Sequence, residues 1–180
     1  MKKILLATTI IASFCAVNAA SAASTGTITF NGELTATTCD VVVGGQAADA
    51  TVTLPTIAIS QLTKAGQTAG RTNFPMALTN CAGTLKTASA YFEDGSSVDA
   101  TTGRLNNLTG NATGVQLQLL DGQGSRGVIK VGDSSQTDNN SYVDVSTGTA
   151  NLNYDVEYYA TAATTAGTVV SNVVYSIQYK

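Results

Sequence analysis

Apolar and polar residues alternate along most of this chain. Ile28, Phe30, Gly32, Leu34 and Ala36 interleave with Thr29, Asn31, Glu33 and Thr35. Phe74, Met76 and Leu78 flank Pro75 and Ala77, and Val115, Leu117 and Leu119 flank Gln116 and Gln118. Leu152, Tyr154, Val156 and Tyr158 alternate with Asn153, Asp155 and Glu157; Val173, Tyr175, Ile177 and Tyr179 alternate with Val174, Ser176 and Gln178. A period of two sends one set to a core face and the other to solvent, so each run predicts a strand. Gly44-Gly45, Asp94-Gly95, Gly122-Gln123-Gly124 and Asn139-Asn140 punctuate the runs as turns. Helical periodicity is confined to one short turn between Ile57 and Leu62. Several short strands between turn signals predict one all-β, immunoglobulin-like sandwich. Pro75 lacks the ladder donor, which predicts an edge or a bulge at that point.

The N-terminus reads differently. Met1-Lys2-Lys3 precedes an apolar run from Ile4 to Val17, and Ala20-Ser21-Ala22 has the small-x-small form of a signal-peptidase site. That run spans about 21 Å as a helix, short of the roughly 30 Å of a bilayer core. Residues 1–22 therefore read as a cleaved signal peptide. The remaining 158 of 180 residues suit one domain with a core of its own.

Export changes the meaning of the cysteines. Cys15 lies in the signal, leaving Cys39 and Cys81 in an oxidising compartment, where a disulfide between them is expected. The rival, a pair of metal-ligating thiolates, lacks further ligands, since the sequence has no histidine. No metal and no cofactor is expected.

Charge narrows the partners. Without Lys2 and Lys3 the mature protein carries 7 Lys and Arg against 12 Asp and Glu, a formal charge of −5. An acidic surface suits neither nucleic acid nor electrostatic membrane binding.

Candidate chemistry is sparse. Missing histidine excludes the Ser–His–Asp and Cys–His triads. Lys64, Lys86, Lys130 and Lys180 have no recognisable serine partner, and Glu93-Asp94-Gly95 reads as a solvated turn rather than half of a glycosidase pair. Gly122, Gly124 and Gly127 spell G-x-G-x-x-G, but Val128 to Val131 reads as a strand where a dinucleotide site needs a helix, so the glycines mark a hairpin. The acceptor-like triplets at Asn107, Asn111 and Asn139 carry no weight in a sequence this rich in Thr and Asn. No catalytic residue is expected.

Two segments stand out. The first, from Ala23 to Cys39, is an alternating strand with a glycine, Gly32, in its apolar register. The second, from Gly167 to Lys180, is a strongly apolar strand at the other end. Together with the signal peptide, the runs Gly26 to Glu33, Asn73 to Cys81, Gly114 to Asp121 and Tyr154 to Ala160, and the pair Gly167 and Tyr179, they make the protein resemble the chaperone–usher pilins. The similarity is greatest to the major subunits of type 1-like fimbriae.

The resemblance implies an incomplete immunoglobulin-like sandwich that lacks its last strand. It implies that residues 23–36 form a donor strand for a neighbouring subunit, with residues 37–180 as the pilin domain. Ile28, Phe30, Leu34 and Ala36 would fill successive pockets of the acceptor, and Gly32 would stand where the groove floor rises. Gly167, Val173, Tyr175, Ile177, Tyr179 and Lys180 would form the strand flanking the groove and meeting the chaperone. The implied partners are identical or related subunits in a head-to-tail polymer, a periplasmic chaperone and an outer-membrane usher, with no nucleic acid and no membrane insertion after signal removal. The implied location is a fimbrium on the cell surface, reached through the periplasm, where it supports adhesion. The alternatives are a minor adaptor or adhesive subunit, or a secreted monomeric sandwich that binds a ligand.

Overall fold

The structure is a computed structural model that describes residues 26–32, 34, 36, 38–124 and 127–180. Residues 1–33 and 34–180 form two separate units. The signal peptide expected at 1–22 lies outside the described residues, as do Ala23, Ser24, Thr25, Glu33 and Thr35 of the expected donor strand.

Two sheets make up the second unit. β1 (Thr38–Val43), β2 (Thr68–Ala82), β4 (Leu105–Asn106), β5 (Val115–Asp121), β6 (Val128–Ile129) and β8 (Ala150–Ala160) form the larger one, in the order β1-β2-β8-β5, with β4 and β6 sharing the outer edge of β5. The smaller sheet has the order β7-β3-β9, from β3 (Thr87–Phe92), β7 (Val143–Asp144) and β9 (Tyr175–Tyr179). Every pairing is antiparallel. A 3-10 turn spans Ile59–Gln61, inside the predicted 57–62 segment, and one short helix, α1, spans Gln136–Asn139.

The alternation reads out as burial. Phe74, Met76 and Leu78 of β2, Leu117 and Leu119 of β5, and Leu152, Tyr154 and Val156 of β8 face Ala88, Ala90 and Phe92 of β3 in one core. At its centre the Phe92 ring meets Tyr154 edge-on, with centroids 5.0 Å apart and planes at 89°. Tyr154 also joins the sheets through its hydroxyl, which accepts the Ala90 N–H at 2.9 Å. The Cys39–Cys81 disulfide forms, tying β1 to β2.

Three expectations need correction. Pro75 lies in neither an edge strand nor a bulge. β2 sits between β1 and β8, and its irregularity falls between Ala69 and Thr72. The Pro75 carbonyl accepts the Gly44 N–H at 2.8 Å, so its missing donor would face the β1 side, where β1 has already ended at Val43. The proline thus falls where the β1 ladder ends.

The polar sets of β5 and β8 do not all face water. Gln116, Gln118, Asp155 and Glu157 are 7%, 6%, 5% and 3% exposed. They are covered by one another and by neighbouring side chains: Glu157 accepts from Gln118 at 3.0 Å and from Arg71 at 2.9 Å, and Arg104 donates to Gln118 at 2.9 Å while stacking on Tyr159. Hydrogen bonding makes their burial tolerable, with Gln116 Oε1 alone among their fully buried side-chain oxygens left without a partner among the described residues. Finally, the expected strand from Gly167 to Lys180 pairs as a ladder only over Tyr175–Tyr179. β3 is short, so the residues before Tyr175 have no strand opposite them.

Candidate functional site: an open sheet edge and the groove beside it

β9 has one satisfied side. Glu93 donates to the Val174 carbonyl at 2.8 Å and Lys180 to the Thr87 carbonyl at 2.9 Å, which fixes the parity of the ladder. Val174, Ser176, Gln178 and Lys180 turn their backbone groups toward β3, and Tyr175, Ile177 and Tyr179 turn theirs away. No strand lies on that second side among the described residues. The same three residues point their side chains inward, where they are half-buried against the core. Each unpaired N–H and C=O therefore lies above an apolar side chain that is only partly covered.

The parity continues upstream. Val169 and Val173 are half-buried and pack on the core, while Val170 and Val174 are 50% and 68% exposed. The inward row thus runs Val169, Val173, Tyr175, Ile177, Tyr179.

A second apolar row faces it. Val52, Leu54 and Ile57 are half-buried in a segment that forms no ladder, and Val52 and Leu54 also pack on the core. Tyrosine hydroxyls tie this side of the groove to β8 and β9. Tyr175 donates to the Ala48 carbonyl at 2.9 Å, Tyr158 donates to the Pro55 carbonyl at 3.3 Å, and Tyr179 accepts the Cys39 N–H at 2.9 Å. Burial pushes all three hydroxyls above their ordinary pKa, so they stay protonated. Two sides of a sandwich are thereby held in place although no strand lies between them.

At one end the groove widens into a cavity of about 430 Å³, lined by residues that include Ile57, Ile59, Val115, Tyr158, Gly167 and Val169. Side-chain amides hold its rim. Asn107 Oδ1 accepts the Val170 N–H at 2.8 Å, its Nδ2 donates to the Thr168 carbonyl at 3.1 Å, and Asn111 Oδ1 accepts the Thr168 N–H at 2.7 Å. Gly167 is required by this approach, because a Cβ there would sit 2.6 Å from the Ala112 nitrogen. Asn107 and Asn111, which matched a glycosylation pattern, are thus rim supports, Asn107 through both amide atoms and Asn111 through Oδ1.

The expected donor residues sit apart from any ladder. Ile28, Phe30 and Leu34 are 78%, 87% and 102% exposed, and Gly32 and Ala36 are exposed as well. Among the described residues, apart from Gly32 and its chain neighbours, no heavy atom lies within 4 Å of the position a Gly32 Cβ would take. Of the expected flanking residues, Val173, Tyr175, Ile177 and Tyr179 line the inward row and Gly167 lines the cavity. Lys180 lies at the far end, with its Nζ donating to the Thr137 carbonyl at 2.7 Å and resting over the Tyr142 ring.

Sequence reasoning missed the opposite row and the tyrosine ties. The alternation of Val52 and Leu54 in Thr51-Val52-Thr53-Leu54 could have shown the former. Nothing in the sequence marks a hydroxyl that reaches a carbonyl more than a hundred residues away.

This protein is similar to known fimbrial proteins. The family model described as type-1 fimbrial protein, A matches residues 54–180. The major fimbrial subunit SMF-1 of Stenotrophomonas maltophilia is 48% identical over 165 residues, covering 89% of this protein and 95% of that one. The F17 fimbrial protein of Escherichia coli is 36% identical over 170 residues, covering 92% and 93%. The crystal structure of the P pilus rod subunit PapA has the same fold, at a TM-score of 0.59 and 18% identity over 79% of this protein and 99% of that one. With a sheet that stops one strand short, and with similarity to fimbrial subunits along nearly its whole length, the protein belongs to the type-1 fimbrial protein A family.

Proposed function

We infer that this protein is the repeating structural subunit of a surface fimbria and that it polymerises by lending residues 23–36 to the open edge of a neighbour. The carrying observation is the unpaired backbone of Tyr175, Ile177 and Tyr179 above a half-buried apolar row. An edge of this kind invites another strand and aggregates if left bare. The donor segment has the matching chemistry: exposed Ile28, Phe30 and Leu34 in one register, with Gly32 among them.

Burying an Ile, Phe or Leu contributes roughly 1.5–3 kcal/mol each, and each main-chain hydrogen bond adds about 1 kcal/mol. The total rivals the roughly 5–15 kcal/mol stability of a whole domain, enough for a long-lived filament without covalent links. Donor segment and groove are different surfaces, so the contact is head-to-tail and propagates as a filament. Strand addition to a sheet edge is a general recognition mode, of which chaperone–pilin pairing is a known example.

On this reading residues 1–22 direct export, a periplasmic chaperone covers the edge before assembly, and an outer-membrane usher exchanges it for the next donor strand. The protein does no catalysis. Electron microscopy of cells expressing the gene with and without residues 23–35 tests the reading: filaments are expected only with the segment. Gly32→Arg should leave the acceptor groove able to bind chaperone but stop polymerisation; normal filaments from that variant would refute the donor assignment.

A further inference from the structure

Asn31 and Gly32 form the single Asn-Gly pair of the sequence, and it falls inside the exposed donor segment. Neither residue has a hydrogen bond among the described residues, and nothing crowds Gly32. In the folded unit, Asp94-Gly95 is exposed but has no amide to lose, and two other pairs are shielded. Asp121, 5% exposed, accepts the Gln123 and Ser141 N–H groups at 2.9 and 2.6 Å, while Gly122 donates to the Asn153 carbonyl at 2.9 Å. Asn140, 7% exposed, commits its amide to the Ala90 carbonyl at 3.2 Å. The one pair with an amide leaving group and an uncrowded glycine nitrogen is left open.

We propose that Asn31 is a site of spontaneous deamidation which retires subunits that wait too long unpaired. The Gly32 backbone nitrogen loses its proton to base and attacks Asn31 Cγ. A bond forms between that nitrogen and Cγ, the bond from Cγ to Nδ2 breaks, and ammonia leaves with a proton, giving a five-membered succinimide. Water opens that ring at either carbonyl, yielding aspartate or isoaspartate, with no redox change. Glycine favours the step because it lacks a Cβ to hinder ring closure.

The consequence rests on the donor-strand reading. Isoaspartate routes the backbone through the former side chain and adds one backbone atom between residue 31 and Gly32. Ile28 and Phe30 then lose their period-2 relation to Leu34 and Ala36, and a strand slipped from its register presents the wrong face. Pairing in a ladder stops the reaction, since an extended, hydrogen-bonded backbone holds the Gly32 nitrogen away from Cγ. Assembled subunits are protected and idle ones expire.

The test ages the full mature protein at pH 8.5, as unassembled subunit and as filament, and maps residues 31–32 by peptide mass spectrometry with isoaspartate-specific methylation. Residue 31 should convert at least about tenfold faster in the unassembled subunit, as expected when ladder pairing suppresses local opening. Asn31→Gln, which keeps the polar register but must close a larger ring, should abolish most of the conversion. Filaments grown from a partly aged pool should exclude subunits with isoaspartate at position 31. Equal conversion in the two states, or incorporation of modified subunits in proportion to their share, overturns the inference. Filaments from protein lacking residues 23–35 would instead overturn the donor-strand reading, while the conversion rates still report on the chemistry at Asn31.

Discussion

The two edges of the small sheet are treated in opposite ways. Along the outer side of β3, β7 pairs with Thr87 and Ala88, and two side chains from the region of α1 finish the work. Gln136 accepts the Phe92 N–H at 3.0 Å and donates to its carbonyl at 2.9 Å, and Asn140 donates to the Ala90 carbonyl at 3.2 Å. Gln136 acts as a one-residue strand. Along the outer side of β9 no such amide exists among the described residues, and the residues beneath stay half-buried. This protein has the means to plug an edge from within, so the bare one fits the place proposed for another subunit. Closure by side chains makes β3 permanent, whereas on the proposed reading openness makes β9 exchangeable.

The strongest way to break the contrast is to close β9 covalently. Fusing a copy of residues 23–36 after Lys180 through a flexible linker should yield a soluble, non-polymerising monomer, more stable than the unfused protein by about 5 kcal/mol or more from three buried apolar side chains and their ladder bonds. Urea unfolding and size-exclusion chromatography measure this. If the unfused mature protein is already a cooperatively folding monomer of the same stability, β9 has no need of a partner strand and the contrast collapses.

Opening the closed edge is the reverse experiment. In the fused monomer, Gln136→Ala strands the buried N–H of Phe92, whose carbonyl keeps the Gly132 N–H at 3.0 Å, and should cost about 1–3 kcal/mol, the range for one unsatisfied group. Asn140→Ala frees one carbonyl and should cost less. Equal, negligible losses would mean that water replaces the amides and β3 is no better protected than β9.

An effect of the same order is expected at the rim of the cavity. Gly167→Val drives a side chain against Ala112 and Asn111. It should destabilise the fused monomer by about 1–3 kcal/mol, the usual range for overpacking, and slow donor-strand uptake by the unfused subunit. Slower uptake without loss of stability would assign Gly167 to strand entry alone.

The mildest probe is alkaline pH. Burial raises the hydroxyl pKa of Tyr175 and Tyr179 above the ordinary 10.0. A group whose pKa is higher folded than unfolded contributes stability that is whole below about pH 10 and disappears as pH rises through the folded value. Subunits should therefore lose stability above pH 10. A donor strand buries both tyrosines further, so the loss in fused monomers should begin at higher pH. Matching profiles would mean the strand leaves the tyrosines as exposed as before.

Much of the fold could be read from alternation alone. The runs at 74–78, 115–119 and 152–158 carry large side chains at every second position, and each is a strand with its apolar set inward. β3 escaped notice because Ala88 and Ala90 are too small to contrast with Thr87 and Ser89, yet both are fully buried. β7 and α1 are too short for any period to show. The extent of β9 was overstated, since alternation continues back to Val169 whether or not a strand lies opposite to pair with it.

What the sequence determined by itself is local and chemical: inward and outward faces, the Cys39–Cys81 pair, the absence of histidine chemistry, and an alternating segment holding one glycine and one Asn-Gly bond. Tertiary structure alone decided which edge is plugged and which is bare. That choice depends on where distant amides and hydroxyls land, with Gln136 on Phe92, Tyr175 on Ala48 and Tyr179 on Cys39. Periodicity fixes the direction of a side chain, but the pairing of a backbone edge depends on what the rest of the protein brings beside it.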